Sequence, residues 1–465
     1  MQRDTWTSRL TYILTVAGAT IGFGATWRFP YLVGENGGGA YVLVFCIAMI
    51  LVGIPVILVE NVIGRRMKKN SVDAFGGKTL NGQNISKFWK IVGYLGLCGS
   101  FGIMGYYMVL GGWVIVYIVE LIVGNFNLSN PIDASYTNEF YSANIEHNPF
   151  LIAVYTFVFM MINWVILRKG VIDGIEKSVK FLMPTLFLCL VVVIIRNVTL
   201  DGSDIGISFY LKPDLSKIIT FSPFYINSKL FLMVLGQVFF ALSLGFGVMI
   251  TLSSYLNKEE NLVKTAVITG VINTVVAVAA GFMIFPVLFT VGLEPAAGPS
   301  LVFKTLPVAF SHIPFGNLVA VLFFLLLLIA ALTTSLTIYQ VIINVLEEKL
   351  GFSTKKAVNF TVLGIFIFGN IPCVLSYGPL ADIRIFGDNI FDAFDNISGN
   401  IFFVITAFLC CIYVGWVLKK DSIYEISNEE KLSSSFFNIW YYYVKFIVPI
   451  IILAIFLSGI GLLNF

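Results

Sequence analysis

The sequence reads Gly18-Ala-Thr-Ile-Gly-Phe-Gly24 in its first hydrophobic run and Ser243-Leu-Gly-Phe-Gly247 in its sixth. Glycine is common in membrane helices, where it often only lets two helices approach, and for one glycine pair alone that explanation is the commoner one. Interruptions at matching places, each beside polar residues, instead favour helices that unwind inside the membrane. Because freed peptide groups can hold a cation or a carboxylate, the pattern predicts a binding site at these breaks.

The composition predicts a membrane protein built from helices. Of the 465 residues, 58% are hydrophobic and 12% are charged, and the mean hydropathy is +0.90. Soluble domains have only about 45–50% apolar residues. The sequence lacks the alternation of apolar and polar positions, over about ten residues, that barrel strands require. We therefore expect an all-α membrane protein in contact with a lipid bilayer.

Several function classes find little support in the composition. The net charge is +3 and the basic residues are spread over loops and helix ends, so we expect no nucleic-acid partner. The six cysteines lie in apolar stretches without metal-ligand spacing. His147 and His312 both fall in segments between hydrophobic runs, which leaves little material for histidine-based catalysis.

Hydropathy and loop polarity predict eleven spanning helices in one transmembrane domain, residues 1–465. The first ten form two halves, at about 8–196 and 229–418, with the breaks in helices one and six, as in inverted repeats. An additional helix follows at about 440–463. The eleven predicted helices are 10–34, 39–64, 87–123, 150–168, 175–196, 229–256, 261–291, 316–349, 355–376, 387–418 and 440–463.

The distribution of basic residues predicts the orientation in the membrane. The loop from Arg65 to Lys90 carries seven Lys or Arg and one acidic residue, whereas residues 124–149 carry three acidic residues and no basic one. The positive-inside rule therefore places the first loop and the N-terminus in the cytoplasm. With eleven helices, Phe465 lies outside, and the chain is a multi-pass protein of the cytoplasmic membrane. The N-terminal segment does not have the order of a signal peptide, so we expect the first helix to be retained.

A longer motif surrounds the first interruption and extends beyond it. It runs Gly22-Phe-Gly-Ala-Thr-Trp-Arg-Phe-Pro-Tyr31. Matching segments elsewhere are Glu35-Asn-Gly-Gly-Gly-Ala40, Gly53-Ile-Pro55, Glu60, Gly64-Arg65, Tyr106-Tyr107, Ser243-Leu-Gly-Phe-Gly247 and Ala330-Ala-Leu-Thr-Thr-Ser335. Together they closely resemble the neurotransmitter:sodium symporter family, over helices one to ten. Eleven helices is a common form of this family in bacteria, and the resemblance implies a transporter that alternates between outward-open and inward-open states.

The resemblance also implies the substrate class. Gly22 stands where the family's monoamine carriers have aspartate, so the substrate should supply its own carboxylate, as an amino acid does. The implied lining is apolar and aromatic, which favours an uncharged apolar or aromatic side chain, because a buried charge without a partner is costly. The residues implied to contact the substrate are Ala19, Thr20, Phe23, Gly24, Ile103, Tyr107, Phe240, Ser243, Phe246, Ser335 and Ile338.

The resemblance implies one sodium site in full and a second in part. The complete site consists of the carbonyls of Gly18, Ile21 and Ala330 and the hydroxyls of Thr333 and Thr334, an oxygen-only set that suits a hard monovalent cation. Taken alone, a Thr-Thr pair more often bonds back to its own helix. At the other site, Ala25 and Ala241 replace an asparagine and a threonine of the family. Only the Thr20 carbonyl, Asn273 and the substrate carboxylate remain there.

The chloride site of the family is also incomplete in this sequence. Phe45 matches its tyrosine and Ala277 its serine or acidic residue, while Gln237 is retained. We therefore predict transport with Na⁺ as the coupled ion, with one sodium ion and without chloride.

Gate residues follow from the same resemblance. Arg28 and Asp395 match the external pair that closes over the substrate, and Phe246 matches a lid residue. Asp392 is the second choice for the acidic partner of Arg28. Glu60 matches a structural carboxylate that receives backbone donors from the broken sixth helix. The cytoplasmic gate is implied to pair Arg3 with Glu348, supported by Trp6, Ser254 and Tyr255.

Two alternatives remain open on the sequence. The same fold could couple transport to protons, for which Glu60 is the one obvious titratable residue in the core. A membrane enzyme or channel is the more distant alternative, since no nucleophile and base pattern or ring-forming selectivity motif is present. Which amino acid is carried and the oligomeric state are not encoded in any motif we recognise.

Overall fold

The computed structural model describes residues 5–221, 224–295, 298, 300–427, 435–459 and 461–462. These residues form a bundle of helices with one small hairpin outside the long apolar spans. We call the end of the bundle that carries residues 68–86 the basic end and the other end, with residues 124–148, the opposite end. The helices in chain order are α1 Arg9–Thr20, α2 Gly24–Glu35, α3 Gly39–Met67, α4 Lys87–Val123, α5 Ala134–Tyr141, α6 Pro149–Leu167, α7 Val171–Val198, α8 Ser203–Leu211, α9 Ser228–Ala241, α10 Val248–Ser253, α11 Leu262–Thr290, α12 Leu301–Ser311, α13 Gly316–Leu350, α14 Thr354–Leu375, α15 Ile390–Leu418, α16 Lys420–Ile426 and α17 Ser435–Gly459.

The described part of the chain contains up to ten apolar spans, and a shorter broken apolar segment lies where the sixth of the eleven predicted helices was expected. Nine single helices are long and apolar enough to cross a membrane, and α1 with α2 forms a tenth span that bends by 55° at its break. The shorter broken segment is α9 followed by α10, which are separated by residues 242–247. The break thus falls in the first helix of each set of five, as the glycine stretches predicted.

Helices α4 and α13 form the centre of the bundle and are long because each crosses it from end to end. Most of their side chains are buried. Small residues allow the close packing that membrane helices need. A methyl group at Gly112 of α4 would lie 2.8 Å from the Thr156 amide nitrogen of α6, and one at Gly369 of α14 would lie 2.8 Å from Gly105 Cα. The two broken spans lie against this centre.

Helix starts agree with the local chemistry of the sequence. The Ser8 hydroxyl accepts a hydrogen bond from the Thr11 amide at the start of α1, and the Asn227 and Asn261 side chains accept in the same way at α9 and α11. Such caps satisfy amide groups that have no partner within the helix. Helix α13 ends at Leu350 and is followed by Gly351, whose φ of 65° is accessible to glycine at little cost.

Three segments between the spans contain short helices of their own. The connection at 125–149 contains α5, the one at 197–228 contains α8, and the segment 294–314 contains α12. Two short strands, β1 Ile219–Phe221 and β2 Phe224–Ile226, pair antiparallel with Ile219 opposite Ile226. This hairpin is a small addition to the all-α prediction. The last helix begins at Ser435 rather than 440, and α15 begins at Ile390 rather than 387.

Candidate functional site

The first break is short and leaves main-chain oxygens without helical partners. Helix α1 ends at Thr20, Ile21 leaves the helical conformation with φ −90° and ψ 63°, and α2 begins at Gly24. Side chains from other helices donate hydrogen bonds to main-chain carbonyls at this break. The Thr334 hydroxyl donates to the Gly18 carbonyl at 2.9 Å, and Gln237 Nε2 donates to the Gly24 carbonyl at 2.6 Å.

The second break is longer and is held by side chains on both flanks. Glu60 Oε1 accepts the Gly245 amide proton at 2.7 Å, and the Ser100 hydroxyl donates to the Phe246 carbonyl at 2.7 Å. Ser243, Gly245 and Gly247 all have positive φ. Because only glycine adopts such φ at little cost, the strain at Ser243 marks a conformation imposed by its surroundings.

The two breaks contact each other directly. The Ser243 hydroxyl donates to the Ala19 carbonyl at 3.1 Å, which joins the second break to the end of α1. Asn273 of α11 donates from Nδ2 to the Thr20 carbonyl at 3.0 Å and to the Ala241 carbonyl at 3.1 Å. The interrupted halves of both spans therefore surround one point inside the bundle.

A small, narrow and nearly filled cavity lies at this point. Its surface is mostly apolar and aromatic, and among the described residues around it none is charged. The Tyr107 hydroxyl lies 3.5 Å from the Phe23 amide nitrogen, and a methyl group at Gly22 would lie 2.7 Å from that hydroxyl. The lining consists of Ala19, Thr20, Gly22, Phe23, Gly24, Ile103, Tyr107, Phe240, Ser243, Phe246, Thr334 and Ile338.

Ser335 is the one residue of the predicted lining that lies elsewhere. Its hydroxyl donates to Asn163 Oδ1 at 2.7 Å and to the Leu332 carbonyl at 2.9 Å, on the side of α13 that faces α6. The other ten predicted residues share the cavity. The sequence motif gave the position of Ser335 on α13 but not the partner toward which its side chain turns.

A cluster of neutral oxygens lies beside the cavity, where α1 contacts α13. The Thr333 hydroxyl is within 3.1 Å of the Ala330 carbonyl, and Thr334 bonds the Gly18 carbonyl across the two helices. Helices α1 and α13 can approach closely here because Gly18 has no side chain. A methyl group at Gly18 would lie 3.0 Å from Thr333 Cβ. The carbonyls of Gly18 and Ala330 and the hydroxyls of Thr333 and Thr334 are neutral oxygens, the ligand type that a hard monovalent cation prefers.

The residues of the incomplete sites are buried nearby in the bundle. Ala25 and Ala241 present methyl groups where a ligand would need oxygen, and Asn273 turns its amide nitrogen, not its oxygen, toward Thr20. Phe45 packs against Phe29 with ring centroids 4.6 Å apart. The structure brings Thr20 and Asn273 together, with the amide nitrogen of Asn273 on the Thr20 carbonyl.

A wider outer cavity lies between the small cavity and the opposite end. Arg28 and Asp395 both line it, as does Asp392, but no ion pair within 4.0 Å joins Arg28 to Asp395 in the described chain. The Arg28 guanidinium instead lies over the Phe240 ring, 4.4 Å from its centroid. Phe23, Tyr107 and Phe240 line both cavities and separate them.

At the basic end, Trp6, which precedes α1, and Arg9, the first residue of α1, contact other parts of the chain. Trp6 Nε1 donates to the Leu252 carbonyl at 3.1 Å, and Arg9 lies 3.6 Å from Glu260. Arg3 lies outside the described residues. Its predicted partner Glu348 accepts hydrogen bonds from the backbone and side-chain nitrogens of Asn70, both at 2.8 Å.

The other two residues predicted to support this end lie close by. The Tyr255 hydroxyl donates to Asn344 Oδ1 at 2.9 Å, and the Ser254 hydroxyl donates to the Thr251 carbonyl. The rings of Trp6 and Tyr255 meet edge to face, with centroids 5.8 Å apart.

Some residues that hold the site were not singled out from the sequence. Ser100 binds the second break, Asn163 holds Ser335, and buried Glu176 accepts hydrogen bonds from the backbone and hydroxyl of Thr7. Glu176 lies among charged residues at the start of α7, whereas Ser100 and Asn163 are lone polar residues within apolar spans. Such residues usually face the interior of a bundle, which is the signal that could have identified them.

Taken together, two broken helices, a central cavity and an adjoining oxygen cluster define a secondary transporter. The profile of the Sodium:neurotransmitter symporter family matches residues 3–148 and 142–464. The chain belongs to this family and is a membrane transporter.

Relatives of known sequence and structure share almost the whole chain. An uncharacterized sodium-dependent transporter of Haemophilus influenzae is 61% identical over 99% of this chain and 98% of its own length. One of Bacillus subtilis is 35% identical over 99% and 98%. The crystal structure of MhsT in complex with L-phenylalanine matches with a TM-score of 0.85 at 35% identity, over 98% of this chain and 100% of that one.

Proposed function

We propose that this protein is a sodium-coupled symporter of an uncharged amino acid with an apolar or aromatic side chain. The observation that carries the proposal is that both breaks open onto one apolar cavity next to a neutral oxygen cluster. The sodium-dependent relatives and the phenylalanine complex of MhsT support the same ion and substrate class.

The cavity favours a zwitterion that supplies its own carboxylate. Gly22 leaves no room for an acidic side chain, because even a methyl group would lie 2.6 Å from the Thr334 hydroxyl oxygen. The Phe23 amide and the Tyr107 hydroxyl are the neutral donors that would meet a carboxylate. The aromatic rings of Phe240 and Phe246 would surround the side chain, and a charged side chain would be buried there without a partner.

Sodium would be held by Gly18, Ile21, Ala330, Thr333 and Thr334, and chloride would not be required. Gln237 supports the second point, because its amide nitrogen is engaged by the Gly24 carbonyl and its buried oxygen finds no donor within the described chain. An anion beside that oxygen would meet an acceptor instead of a donor. We therefore infer a chloride-independent transport cycle.

Alternating access would use the two ends of the bundle in turn. The basic end would face the cytoplasm by the positive-inside rule, and the outer cavity would open to the exterior. Substrate would draw Arg28 and Asp395 together over the cavity, and cation release would loosen the contact of α1 with α13. The coupling is limited by the difference in cation affinity between the two states.

Ion replacement in proteoliposomes tests the proposal. Purified protein would be reconstituted, and uptake of labelled L-phenylalanine and L-leucine would be measured with an inward gradient of sodium or of potassium, each with chloride or gluconate. We expect uptake with sodium only, at the same rate with either anion, and competition by apolar but not by charged amino acids. Equal uptake with potassium, or a requirement for chloride, contradicts the proposal.

Proton coupling is a second candidate because of one observation at the second break. Glu60 is fully buried, one of its oxygens accepts from Gly245, and the other has no donor among the residues described. An oxygen in such a place can carry a proton. Uptake driven by a pH gradient in sodium-free buffer, and abolished by Glu60→Gln, would establish this alternative, whereas no uptake under those conditions excludes it.

A further inference from the structure

Two main-chain carbonyls, one from each break, converge on the side chain of Asn273. The Thr20 carbonyl is 3.0 Å and the Ala241 carbonyl 3.1 Å from Asn273 Nδ2, so one amide group bridges both breaks. Asn273 lies in the middle of α11 and is fully buried. Both carbonyls lost their helical partners at the ends of α1 and α9 and need a donor or a cation.

The orientation of this amide is fixed by what surrounds it. A carbonyl oxygen only accepts, and the amide nitrogen is the one group of Asn273 that can donate to two carbonyls at once. Turning the amide would bring three oxygens together and leave the nitrogen without these partners. Asn273 Oδ1 has no hydrogen-bond partner within the described chain, so the side chain makes its hydrogen bonds through the amide nitrogen alone.

The surroundings offer a cation fewer ligands here than the Gly18 to Thr334 cluster does. The neighbouring side chains of Ala25 and Ala241 are buried methyl groups. A cation would find the two carbonyls, a third neutral oxygen after rotation of Asn273, and the substrate carboxylate, one ligand fewer than the five oxygens expected at the cluster. Gln237 Nε2 likewise donates to a main-chain carbonyl at the first break, that of Gly24, at 2.6 Å, beside the bond that this carbonyl accepts from the Phe29 amide.

We propose that the Asn273 amide is a built-in donor that replaces a cation between the two breaks, so that the cluster of Gly18, Thr333 and Thr334 is the single sodium site. The proposal rests on the proposed function, because it concerns how many ions that symport uses. Asn273 is then a positioning residue. It holds Thr20 and Ala241 together whether or not sodium is bound, and the link between the breaks is independent of the ion gradient.

Equilibrium binding of ²²Na⁺ to purified protein tests this, with and without saturating L-phenylalanine. Four proteins are compared: the natural chain, the double variant Thr333→Ala with Thr334→Ala, Asn273→Ala, and Asn273→Asp. The last variant keeps the shape of the side chain but replaces the donor by a carboxylate, which turns the bridge into a set of cation ligands. The dependence of uptake on sodium concentration gives a second readout.

We expect the natural chain to bind about one sodium ion, with a Hill coefficient of about 1 for uptake, and the double threonine variant to bind none. Asn273→Asp should bind a second ion and show a steeper sodium dependence. Two ions on the natural chain, or one ion retained by the double threonine variant and lost in Asn273→Ala, overturns the proposal. Should Asn273→Asp not fold, the first two proteins decide. Failure of symport itself would look different, since the natural chain would then bind no sodium.

Discussion

The two broken spans look alike in sequence but contain glycine for different physical reasons. At the first break, Gly22 and Gly24 have ordinary negative φ, and what their missing side chains provide is space: methyl groups there would lie 2.6 Å from the Thr334 hydroxyl and 2.9 Å from Phe240. At the second break, Gly245 and Gly247 have φ of 80° and 75°. The first break thus needs room and the second needs backbone freedom, so one sequence signal has two causes.

The largest effect is expected from Gly245→Ala. Positive φ costs an L-residue about 1–2 kcal/mol, and the added methyl group would also lie 2.1 Å from the Phe403 carbonyl oxygen. We expect a loss of about 3 kcal/mol or more in stability, seen as little monodisperse protein and a clearly lower melting temperature. Gly236→Ala is the matched control, because nothing lies within 4 Å of its added methyl group. Equal melting temperatures for the two variants would remove the distinction between the breaks.

Gly22→Ala should instead affect transport more than stability. Its φ is accessible to alanine, but the methyl group would displace the Tyr107 and Thr334 hydroxyls, both within 2.7 Å. Overpacking of this kind costs about 1–3 kcal/mol, and applied to binding it lowers uptake roughly tenfold or more. Initial rates in proteoliposomes measure this, and Gly364→Ala, with open space around it, is the control. Unchanged uptake in Gly22→Ala would mean that the first break has spare room.

A smaller effect is expected at the contact between the first break and α13. Thr334→Ala removes the hydroxyl that reaches the Gly18 carbonyl at 2.9 Å. Loss of one such group costs about 1 kcal/mol, or roughly fivefold in apparent sodium affinity. Thr334→Ser should restore it, and Thr337→Ala, which removes a hydroxyl bonded within α13, should leave it unchanged. If Thr337→Ala weakens the apparent sodium affinity as much as Thr334→Ala does, the loss reflects a disturbance of α13 and not the removal of the hydroxyl that contacts Gly18.

Sequence reasoning located the breaks well because their cause is local. The glycine stretches at 18–24 and 243–247 overlap the observed interruptions at 21–23 and 242–247. It could not give the direction in which side chains point when distant residues decide it. Ser335 turns to Asn163, 172 residues away, and Asn273 presents nitrogen to Thr20, 253 residues away. A motif gives the position of a side chain on its helix, whereas its rotamer depends on the packing of the whole bundle.

The smallest effect concerns a loop at the basic end that packs against the second break but not the first. Ser71 lies 3.2 Å from where a methyl group at Gly247 would be, and two residues on, Asp73 binds Lys90 Nζ at 2.5 Å. Partial burial alone would raise the pKa of Asp73, but the hydrogen bonds from Lys90 and Asn70 outweigh it and lower that pKa below its ordinary value.

A lowered pKa in the folded protein means that this ion pair stabilises the fold above the ordinary aspartate pKa of about 3.9 and stops doing so as the pH falls through the lowered value. Lys90→Met should therefore reduce stability at pH 7 by less than about 1 kcal/mol, because the pair is partly exposed. Melting temperatures of the natural chain and the variant should differ at neutral pH and converge in acid. A difference that persists in acid would mean that Lys90 acts by packing, and the second break would then be supported without help from charge.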